Sequence, residues 1–479
     1  MIGKHVGYYF GSKLFAAVLN LLSMALFVRL AGQDVYGGYI VAMAWAAIAY
    51  SMSLQWMRFA FFASYRENMS AAQISTYLRI LAAGIALVAV ICATIAYAGW
   101  SSPDMALAVF VVVAGLAAYD AFHEIARTRL QARTVAIGVV IRSLLILIFG
   151  VVALKAYGTP LSLAISFGAA HWGGALALGL GAANLQRAPW SPEAARRLWR
   201  SGRPLIPAFA VDSFGLQFDR LILAHNEGYA DVGPYGAVSD FIRQLLIVGS
   251  EAISGAYMAL ARADAVNDRQ ESARLILGQA FRAYVMLTAF AASFVMFFGD
   301  DVLTLMFGAG IAEAVHPILL LIVLSNAIMV FRAYYFAQIL FVDNGSRLML
   351  LANTSHAVVT GVLSLTLIPH YGAAGAAFSL MMGHLVALLH YVWSWRGLYV
   401  MKLPYADSAV IALAALAVFA AMKALEAVTG GGILVDLVNL LAFGLTAIVT
   451  AWRYRILSIN EAGRFVSNYF ARRREGSLP

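Results

Sequence analysis

The chain contains about fourteen apolar runs, each close to the length that crosses a lipid bilayer, separated by short polar breaks. A helix rises about 1.5 Å per residue, so about twenty apolar residues span a hydrocarbon core about 30 Å thick. Hydrophobic residues make up 62% of the 479 residues and charged residues only 12%, which excludes an ordinary soluble domain. We therefore predict an all-α polytopic membrane protein with spans near residues 7–30, 36–57, 76–99, 104–126, 135–154, 161–184, 204–226, 234–260, 274–298, 314–342, 348–369, 372–395, 407–427 and 432–452.

The first six predicted helices and the next six carry matching sequence patterns. A Tyr-Gly turn at 36–37 recurs 199 residues later at 235–236. The segment 133–158, which starts with Arg and ends with Tyr-Gly, recurs 214 residues later at 347–372. Membrane proteins with repeated bundles place a polar site where the bundles meet, near the bilayer midplane, and rock one bundle against the other. The sequence thus predicts two pseudo-symmetric six-helix lobes around a central cavity, plus two C-terminal helices.

The polar breaks suggest where these parts begin and end. Ser191 is a good helix N-cap, Pro192 suits the first helical position, and Gly202 ends a short helix between the lobes, on which Leu198 and Trp199 would enter the membrane boundary. We predict an N-lobe at 1–186, a cytoplasmic interfacial linker helix at 187–203, a C-lobe at 204–400, helices thirteen and fourteen at 401–452, and a basic cytoplasmic tail at 453–479.

The distribution of Lys and Arg predicts the orientation, because cationic loops collect on the cytoplasmic side. With the N-terminus inside, all but five of the 33 Lys and Arg residues lie in cytoplasmic loops, in the tails or in the inner halves of helices; the exceptions are Arg29, Lys155, Arg220, Arg243 and Lys423. Both termini are then cytoplasmic. This topology accounts for the net charge of +9, so nucleic acid need not be invoked as a partner.

Six ionisable residues fall within predicted helices seven and eight: Asp212, Asp219, Arg220, Asp240, Arg243 and Glu251. A charged side chain inside a membrane costs about 2.5 to 3.5 kcal/mol on insertion scales, so such groups need a partner or a function. Asp240 and Arg243 are three residues apart and can pair on one helix face. The adjacent Asp219 and Arg220 point in different directions and need separate partners.

Two interpretations of these charges are open. In the first, carboxylates neutralise both arginines in a buried network that joins helices seven and eight. In the second, Arg220 and Arg243 face the cavity between the lobes and bind a phosphate or a sugar carboxylate, which the planar guanidinium suits. Asp212 and Asp219, seven residues apart on one helix face, and Asp240 are candidates for coupling transport to protons or sodium.

Two further cations are candidates for a cationic cavity. Lys13 lies about half-way into helix one, in register with Asn20, which makes the same face polar at greater depth. Arg332 lies in the inner half of helix ten. Both side chains are also long enough to reach the cytoplasmic interface instead.

Signals for catalysis and cofactors are weak or absent. Asp120, His123 and Glu124 have helical spacing, but three such residues at a helix end are usually solvated, and we predict no metal site. The sequence has no GxxxxGK[ST] loop, no GxGxxG after a strand, and no HExxH, CxxC or GxSxG motif. We therefore predict no catalytic residues, no cofactor and no enzymatic activity. Four histidines stand alone in apolar spans and are expected to be packed core residues: His171, His356, His384 and His390.

Three segments carry a family resemblance: Tyr8–Lys13, Arg29–Gly37 and Ile368–Ala377. They resemble the bacterial polysaccharide transporter family, the oligosaccharide flippases of the multidrug, oligosaccharidyl-lipid and polysaccharide exporter superfamily. The resemblance covers helices one to twelve. The two additional helices are similar to a feature of the peptidoglycan-precursor flippase branch.

The resemblance implies a cavity that opens alternately to each side of the bacterial cytoplasmic membrane. It also implies a cargo, a polyprenyl-diphosphate-linked glycan that moves from the inner to the outer leaflet. The residues that match the family's cationic cavity are Lys13, Arg220, Arg243 and Arg332. The implied partners are membrane lipids and other polysaccharide assembly proteins, such as a polymerase or a chain-length regulator.

Two other functions compete with this one. A cation-coupled multidrug exporter of the same superfamily would need a mainly acidic and aromatic cavity, which Lys13 and the paired arginines argue against. A membrane glycan polymerase or ligase is disfavoured by the two-lobe repeat and by the lack of a large outward domain.

Overall fold

The computed structural model describes residues 2–66, 70–182, 188–258, 260–261, 264, 270–337, 346–395, 403–454 and 456. The described residues form helices joined by short turns, and no strand occurs among them. Two π-helical segments lie at Ser254–Met258 and Phe331–Phe336, and a short 3-10 turn lies at His316–Ile318. The α-helices are α1 (Ile2–Ser53), α2 (Gln55–Ser64), α3 (Ser70–Tyr97), α4 (Pro103–Thr128), α5 (Ala132–Ala156), α6 (Pro160–Gly181), α7 (Pro192–Gly202), α8 (Leu205–Glu227), α9 (Tyr229–Ile253), α10 (Gln270–Phe307), α11 (Ala309–Val315), α12 (Leu319–Val330), α13 (Ser346–Trp395), α14 (Tyr405–Thr429) and α15 (Ile433–Arg453).

The predicted all-α polytopic membrane fold is confirmed. Ten helical stretches within the described residues are long and apolar enough to cross a membrane, and every predicted span overlaps a helix. Two of the stretches are long enough for two crossings each, namely Gly11–Ser64 with 54 residues and Leu348–Trp393 with 46. The predicted spans 204–226 and 234–260 correspond to α8 and α9, the helices that carry the charged residues.

Glycine kinks divide the two longest helices. Gly32 in α1 has a φ of 74° and Gly372 in α13 has a φ of 51°, a region that is costly for residues with a Cβ atom. The kink at Gly32 lies in the predicted break between the spans 7–30 and 36–57, and Gly372 is the first residue of the predicted span 372–395. The chain therefore reverses direction at these glycines almost without leaving the helical conformation. The Tyr-Gly turns predicted at 36–37 and 235–236 are wrong, because both pairs lie inside helices, in α1 and α9.

The chain divides into two compact units whose segments alternate along the sequence. The first unit comprises Met1–Gln244, Val302–Ser325 and Arg347–Ala387. Within it, α6 packs against α4 and α5, and α1 packs against α5 and α8. Glycines allow the closest approach: a Cβ atom on Gly115 of α4 would lie 2.7 Å from the carbonyl oxygen of Gly168 of α6.

The second unit comprises Leu245–Asp301, Asn326–Ser346 and Leu388–Pro479. The two C-terminal helices of the prediction, α14 and α15, belong to it and pack against each other. Arg282 of α10 forms an ion pair with Asp407 of α14 at 3.1 Å, and the ring of Phe443 of α15 lies 5.6 Å from that of Phe290 of α10. The two C-terminal helices are therefore attached to α10 by an ion pair and by aromatic packing.

The predicted linker helix is present as α7. The side chain of Ser191 caps it by accepting a hydrogen bond of 3.2 Å from the backbone amide of Ala194. Leu198 is buried, because α7 packs on α2 and α3, whereas the sequence suggested that Leu198 would enter the lipid boundary. Trp199 is half exposed and meets the ring of Trp56 edge-on at 5.7 Å. The protein itself therefore covers much of the apolar face of α7.

Candidate functional site

A cavity of about 420 Å³ lies within the first unit. Its wall is formed by α1, α4, α5, α6, α8 and α9, so residues more than 200 positions apart meet around one space. Apolar side chains, including Phe27, Ile146 and Phe167, cover part of the wall. The polar and charged lining residues are Asn20, Ser23, Tyr36, Tyr39, Arg142, His171, Gln217, Arg220, Asp240 and Arg243.

Arg220 projects from α8 and is bonded to Asp240 of α9 at two points. Its Nη1 atom donates to Oδ2 of Asp240 at 3.0 Å and its Nη2 atom donates to Oδ1 at 2.5 Å. This fork-to-carboxylate geometry is the strongest form of ion pair between side chains. Only 4% of Arg220 is exposed, so the pair joins α8 to α9 in a largely dry environment.

Arg243 lies one helical turn after Asp240 and shares the same carboxylate. Its Nη2 atom donates to Oδ1 of Asp240 at 2.7 Å, which confirms the predicted pairing on one helix face. Its side chain is 30% exposed, compared with 5% for that of Arg220. Asp240 therefore neutralises one of two arginines, and the three residues together retain one positive charge.

Asp219 has a partner of its own, as the sequence predicted. Its Oδ2 atom accepts a hydrogen bond of 2.5 Å from the hydroxyl of Tyr235 on α9, and the residue is fully buried. Asp219 does not line the cavity. The contact is a second polar link between α8 and α9.

The polar side chains that α1 contributes to the cavity wall are uncharged. Asn20, Ser23, Tyr36 and Tyr39 line it, and the rings of the two tyrosines lie 5.8 Å apart. Lys13 occupies the same helix two turns before Asn20, but its side chain is exposed and does not line this cavity. Lys13 and Asn20 share one face of α1, but only the part of that face after Lys13 lines the cavity.

The other two residues suggested by the sequence lie elsewhere. Asp212 is half-buried on α8, two turns before Asp219, and is not a lining residue. Arg332 lies in the π-helical segment Phe331–Phe336 of the second unit and is 5% exposed. The cavity therefore brings together Arg220, Asp240 and Arg243 of the predicted set.

Sequence reasoning missed one cation in the cavity wall, Arg142 of α5. Its guanidinium lies over the ring of Tyr119 at 4.6 Å, a cation–π contact. No carboxylate of the described residues forms an ion pair with it. The sequence did contain a signal that could have identified Arg142. It is the eleventh of the 25 residues of α5 and so lies deep in an apolar run, where a charged side chain needs a partner or a function.

With Arg142, the charges that line the cavity are three guanidinium groups and one carboxylate. The formal surplus is two positive charges. The effective dielectric constant inside a protein is low, because few water molecules are present to screen charges. A surplus of positive charge in the cavity wall therefore attracts anions strongly. Chemically the cavity is therefore suited to an anionic group with neighbouring hydroxyl groups, which Asn20, Ser23 and Gln217 can bind.

Two acidic residues near the C-terminal end of α4 are engaged with cations and a tyrosine. Asp120 accepts hydrogen bonds from Arg58 at 2.7 Å and from the hydroxyl of Tyr50 at 2.6 Å. Glu124 accepts a hydrogen bond of 2.8 Å from Arg127. Within the described part of the chain, no three His, Cys, Asp or Glu side chains are grouped closely enough to hold a metal ion.

The arrangement of helices is similar to that of known transporters. A structure of the lipid II flippase MurJ in an inward closed conformation has a TM-score of 0.73 and 13% sequence identity, and the match covers 93% of this chain and 99% of that one. An inward-facing multidrug resistance MATE transporter of the MOP superfamily has a TM-score of 0.63 and 15% identity, covering 79% of this chain and 94% of that one.

A third similar structure is a MOP-superfamily transporter from Pyrococcus furiosus, for which a reverse polarity of the binding pocket suggests a different function. It has a TM-score of 0.50 and 14% identity, and the match covers 82% of this chain and 92% of that one. Neither a protein-family model nor a curated protein sequence matches the chain. The chain thus has the fold of the MOP-superfamily transporters. Sequence identities this low establish a similarity of fold and nothing about the substrate.

Proposed function

We propose that the protein is a flippase that moves polyprenyl-diphosphate-linked oligosaccharide units from the cytoplasmic to the periplasmic leaflet by alternating access. The units would serve exopolysaccharide, capsule or O-antigen assembly. The observation that carries this proposal is the surplus of two positive charges among the residues that line the 420 Å³ cavity. The likeness in fold to a lipid II flippase supports it.

The charge of the cavity fits this cargo physically. A diphosphate carries more than one negative charge and is costly to place in a bilayer unless cations compensate it. Arginine forks match phosphate oxygens in geometry, and they remain charged even when they are buried. The lipid tail needs no binding site inside the cavity, because it is stable in the surrounding bilayer.

The size and composition of the cavity suit part of a glycan headgroup. Small-molecule sites in proteins have volumes of about 300 to 1,000 Å³, and this cavity lies in that range. Tyr36 and Tyr39 provide flat ring surfaces, while Asn20 and Gln217 provide amide groups for sugar hydroxyls. A transporter of this plan would close around the headgroup on one side and open on the other.

A multidrug exporter is the second candidate, and the likeness in fold to MATE transporters favours it. A cationic drug would need a carboxylate to bind. The carboxylate in the cavity wall, Asp240, already accepts hydrogen bonds from two arginines on both of its oxygens. This engagement of Asp240 makes the exporter the weaker of the two proposals.

The proposed setting follows from the charge distribution of the loops. We place the protein in the bacterial cytoplasmic membrane with both termini in the cytoplasm, because the Lys and Arg residues are concentrated on that side. Proposed partners are the lipid-linked glycan, membrane lipids, and polysaccharide assembly proteins such as a polymerase or a chain-length regulator.

A deletion strain tests the function directly. We expect loss of the surface polymer and accumulation of a lipid-linked intermediate, with unchanged sensitivity to cationic dyes. Complementation with Arg220→Ala or Arg243→Ala should fail to restore the polymer although the protein is inserted. Arg133→Ala is the matched control, since Arg133 is an exposed arginine of α5. Normal polymer together with dye hypersensitivity would instead favour the exporter.

A further inference from the structure

The three arginines of the cavity differ in how far their donors are already used. Both terminal nitrogens of Arg220 donate to Asp240, and the side chain is nearly inaccessible. Arg243 donates one terminal nitrogen to the same carboxylate and is 30% exposed. These two arginines and Asp240 therefore form a preassembled cluster in which Arg220 has little capacity left for a ligand.

Arg142 is in a different condition. It has no hydrogen bond and no ion pair with any described residue, and its partner is the face of the Tyr119 ring. A cation–π contact fixes the plane of a guanidinium without using its in-plane N–H donors. Its Nε atom is buried without a hydrogen-bond partner, so it is the terminal N–H donors of Arg142 that remain for a ligand in the cavity.

The packing around Arg142 holds it in this position. Tyr119 is 3% exposed, and the ring of His171 meets it edge-on at 5.5 Å. Gly174 of α6 lies against both members of the stack: a Cβ atom there would be 2.8 Å from Cβ of Arg142 and 2.9 Å from Cδ2 of Tyr119. Because α6 carries a glycine at this point, the arginine and the tyrosine can stack beside it.

An uncompensated guanidinium in a membrane-embedded wall is unfavourable until an anion neutralises it. The cluster around Asp240 already has its internal counter-ion, whereas Arg142 has none among the described residues. We propose that Arg142 is the principal anion-binding residue of the cavity, that it binds the diphosphate of the cargo, and that Arg243 supplies a secondary contact. This inference rests on the proposed flippase function.

A binding experiment on the purified full-length protein tests this assignment. The probes are farnesyl diphosphate, as a short soluble analogue of the lipid carrier, and farnesol, which lacks the charge. We expect Arg142→Gln to weaken binding of farnesyl diphosphate by about tenfold or more, because a charge-assisted contact is lost. Binding of farnesol should be unchanged. Arg142→Lys keeps the charge but not the fork, and should show an intermediate loss.

Arg133→Gln is the matched control, since it removes an exposed arginine from the same helix and should leave both affinities as in the wild type. The ratio of the two affinities separates a lost anion contact from misfolding, because misfolding would weaken binding of both probes. If Arg142→Gln retains the wild-type preference for the diphosphate, the assignment of Arg142 is wrong and the flippase proposal stands. If the wild-type protein does not prefer farnesyl diphosphate to farnesol, the proposed role of Arg142 is wrong. The flippase proposal is tested separately by the deletion strain, and normal surface polymer in that strain would contradict it.

Discussion

The imidazole rings of His356 and His384 lie stacked in the first unit, with centroids 4.5 Å apart and planes inclined by 9°. The two residues come from opposite sides of the Gly372 kink in α13, and they are 0% and 3% exposed. Gly215 of α8 packs so closely on His356 that a Cβ atom there would overlap the imidazole. Two histidines that look isolated in the sequence thus form one packed element that joins both halves of α13.

The glycine beneath this stack should be intolerant of a methyl group. Gly215→Ala would push His356 off the stack, and overpacking of this kind costs about 1 to 3 kcal/mol. We expect a lower thermal midpoint for the detergent-solubilised protein. Gly444→Ala in α15 is the control, because a Cβ atom there meets nothing within 4 Å. Equal midpoints for the two variants would contradict the packing described for Gly215.

Asp240 should matter more for stability than either arginine that it binds. Asp240→Asn leaves Arg220 and Arg243 without a counter-ion in the cavity wall, and an uncompensated buried charge costs about 3 to 5 kcal/mol. Arg243→Gln should cost less, because Asp240 keeps its two-point pair with Arg220. Thermal unfolding of the two variants measures the difference. Asp104→Asn, at an exposed position in the first turn of α4, is the control, and a midpoint for Asp240→Asn no lower than this control would argue against the shared carboxylate.

Arg29 should stabilise the C-terminal end of α10. Its guanidinium donates hydrogen bonds to the last-turn carbonyl oxygens of Thr304 at 3.1 Å, Leu305 at 2.5 Å and Met306 at 3.0 Å. Arg29→Met should loosen this last turn, so that the backbone amides of residues 300–307 exchange with deuterium roughly threefold faster. Exchange measured by mass spectrometry checks this. Arg133→Met, at an exposed position of α5, should leave residues 300–307 unaffected.

The proposed orientation can be tested by cysteine labelling, because Cys92 is the chain's single cysteine. In a Cys92→Ser background, Tyr157→Cys places a thiol at an exposed position between α5 and α6, on the predicted periplasmic side. Trp190→Cys places one at an exposed position before α7, on the predicted cytoplasmic side. A membrane-impermeant thiol reagent added to intact cells should label position 157 and leave position 190 unlabelled until the membrane is opened. The reverse pattern would invert the topology.

Local features of the sequence were sufficient for the helices and for some pairs of charges. Each span must satisfy its backbone hydrogen bonds within one helix, so the apolar runs alone predicted the polytopic fold. The pair between Asp240 and Arg243 follows from a spacing of three residues on one helix. The separate partners of Asp219 and Arg220 follow from the angle between adjacent helical positions.

The composition of the cavity could not be obtained in the same way. Lys13 shares a helix face with Asn20, but only Asn20 reaches the cavity wall, since depth along the helix also decides access. Arg142 looked like one of many arginines in the inner halves of the helices. Arg142 differs from the other arginines in its contacts with the Tyr119 ring of α4 and with Gly174 of α6, and these contacts are visible only in the tertiary structure.

The sequence by itself determined that this chain is helical and crosses the membrane many times, because hydrophobicity acts over a few neighbouring residues. Only the tertiary structure decided which cations share one space and which of them already have a counter-ion. Residues 142, 220 and 243 line one cavity although they come from α5, α8 and α9, and electrostatic compensation depends on distances in space rather than on separation along the chain.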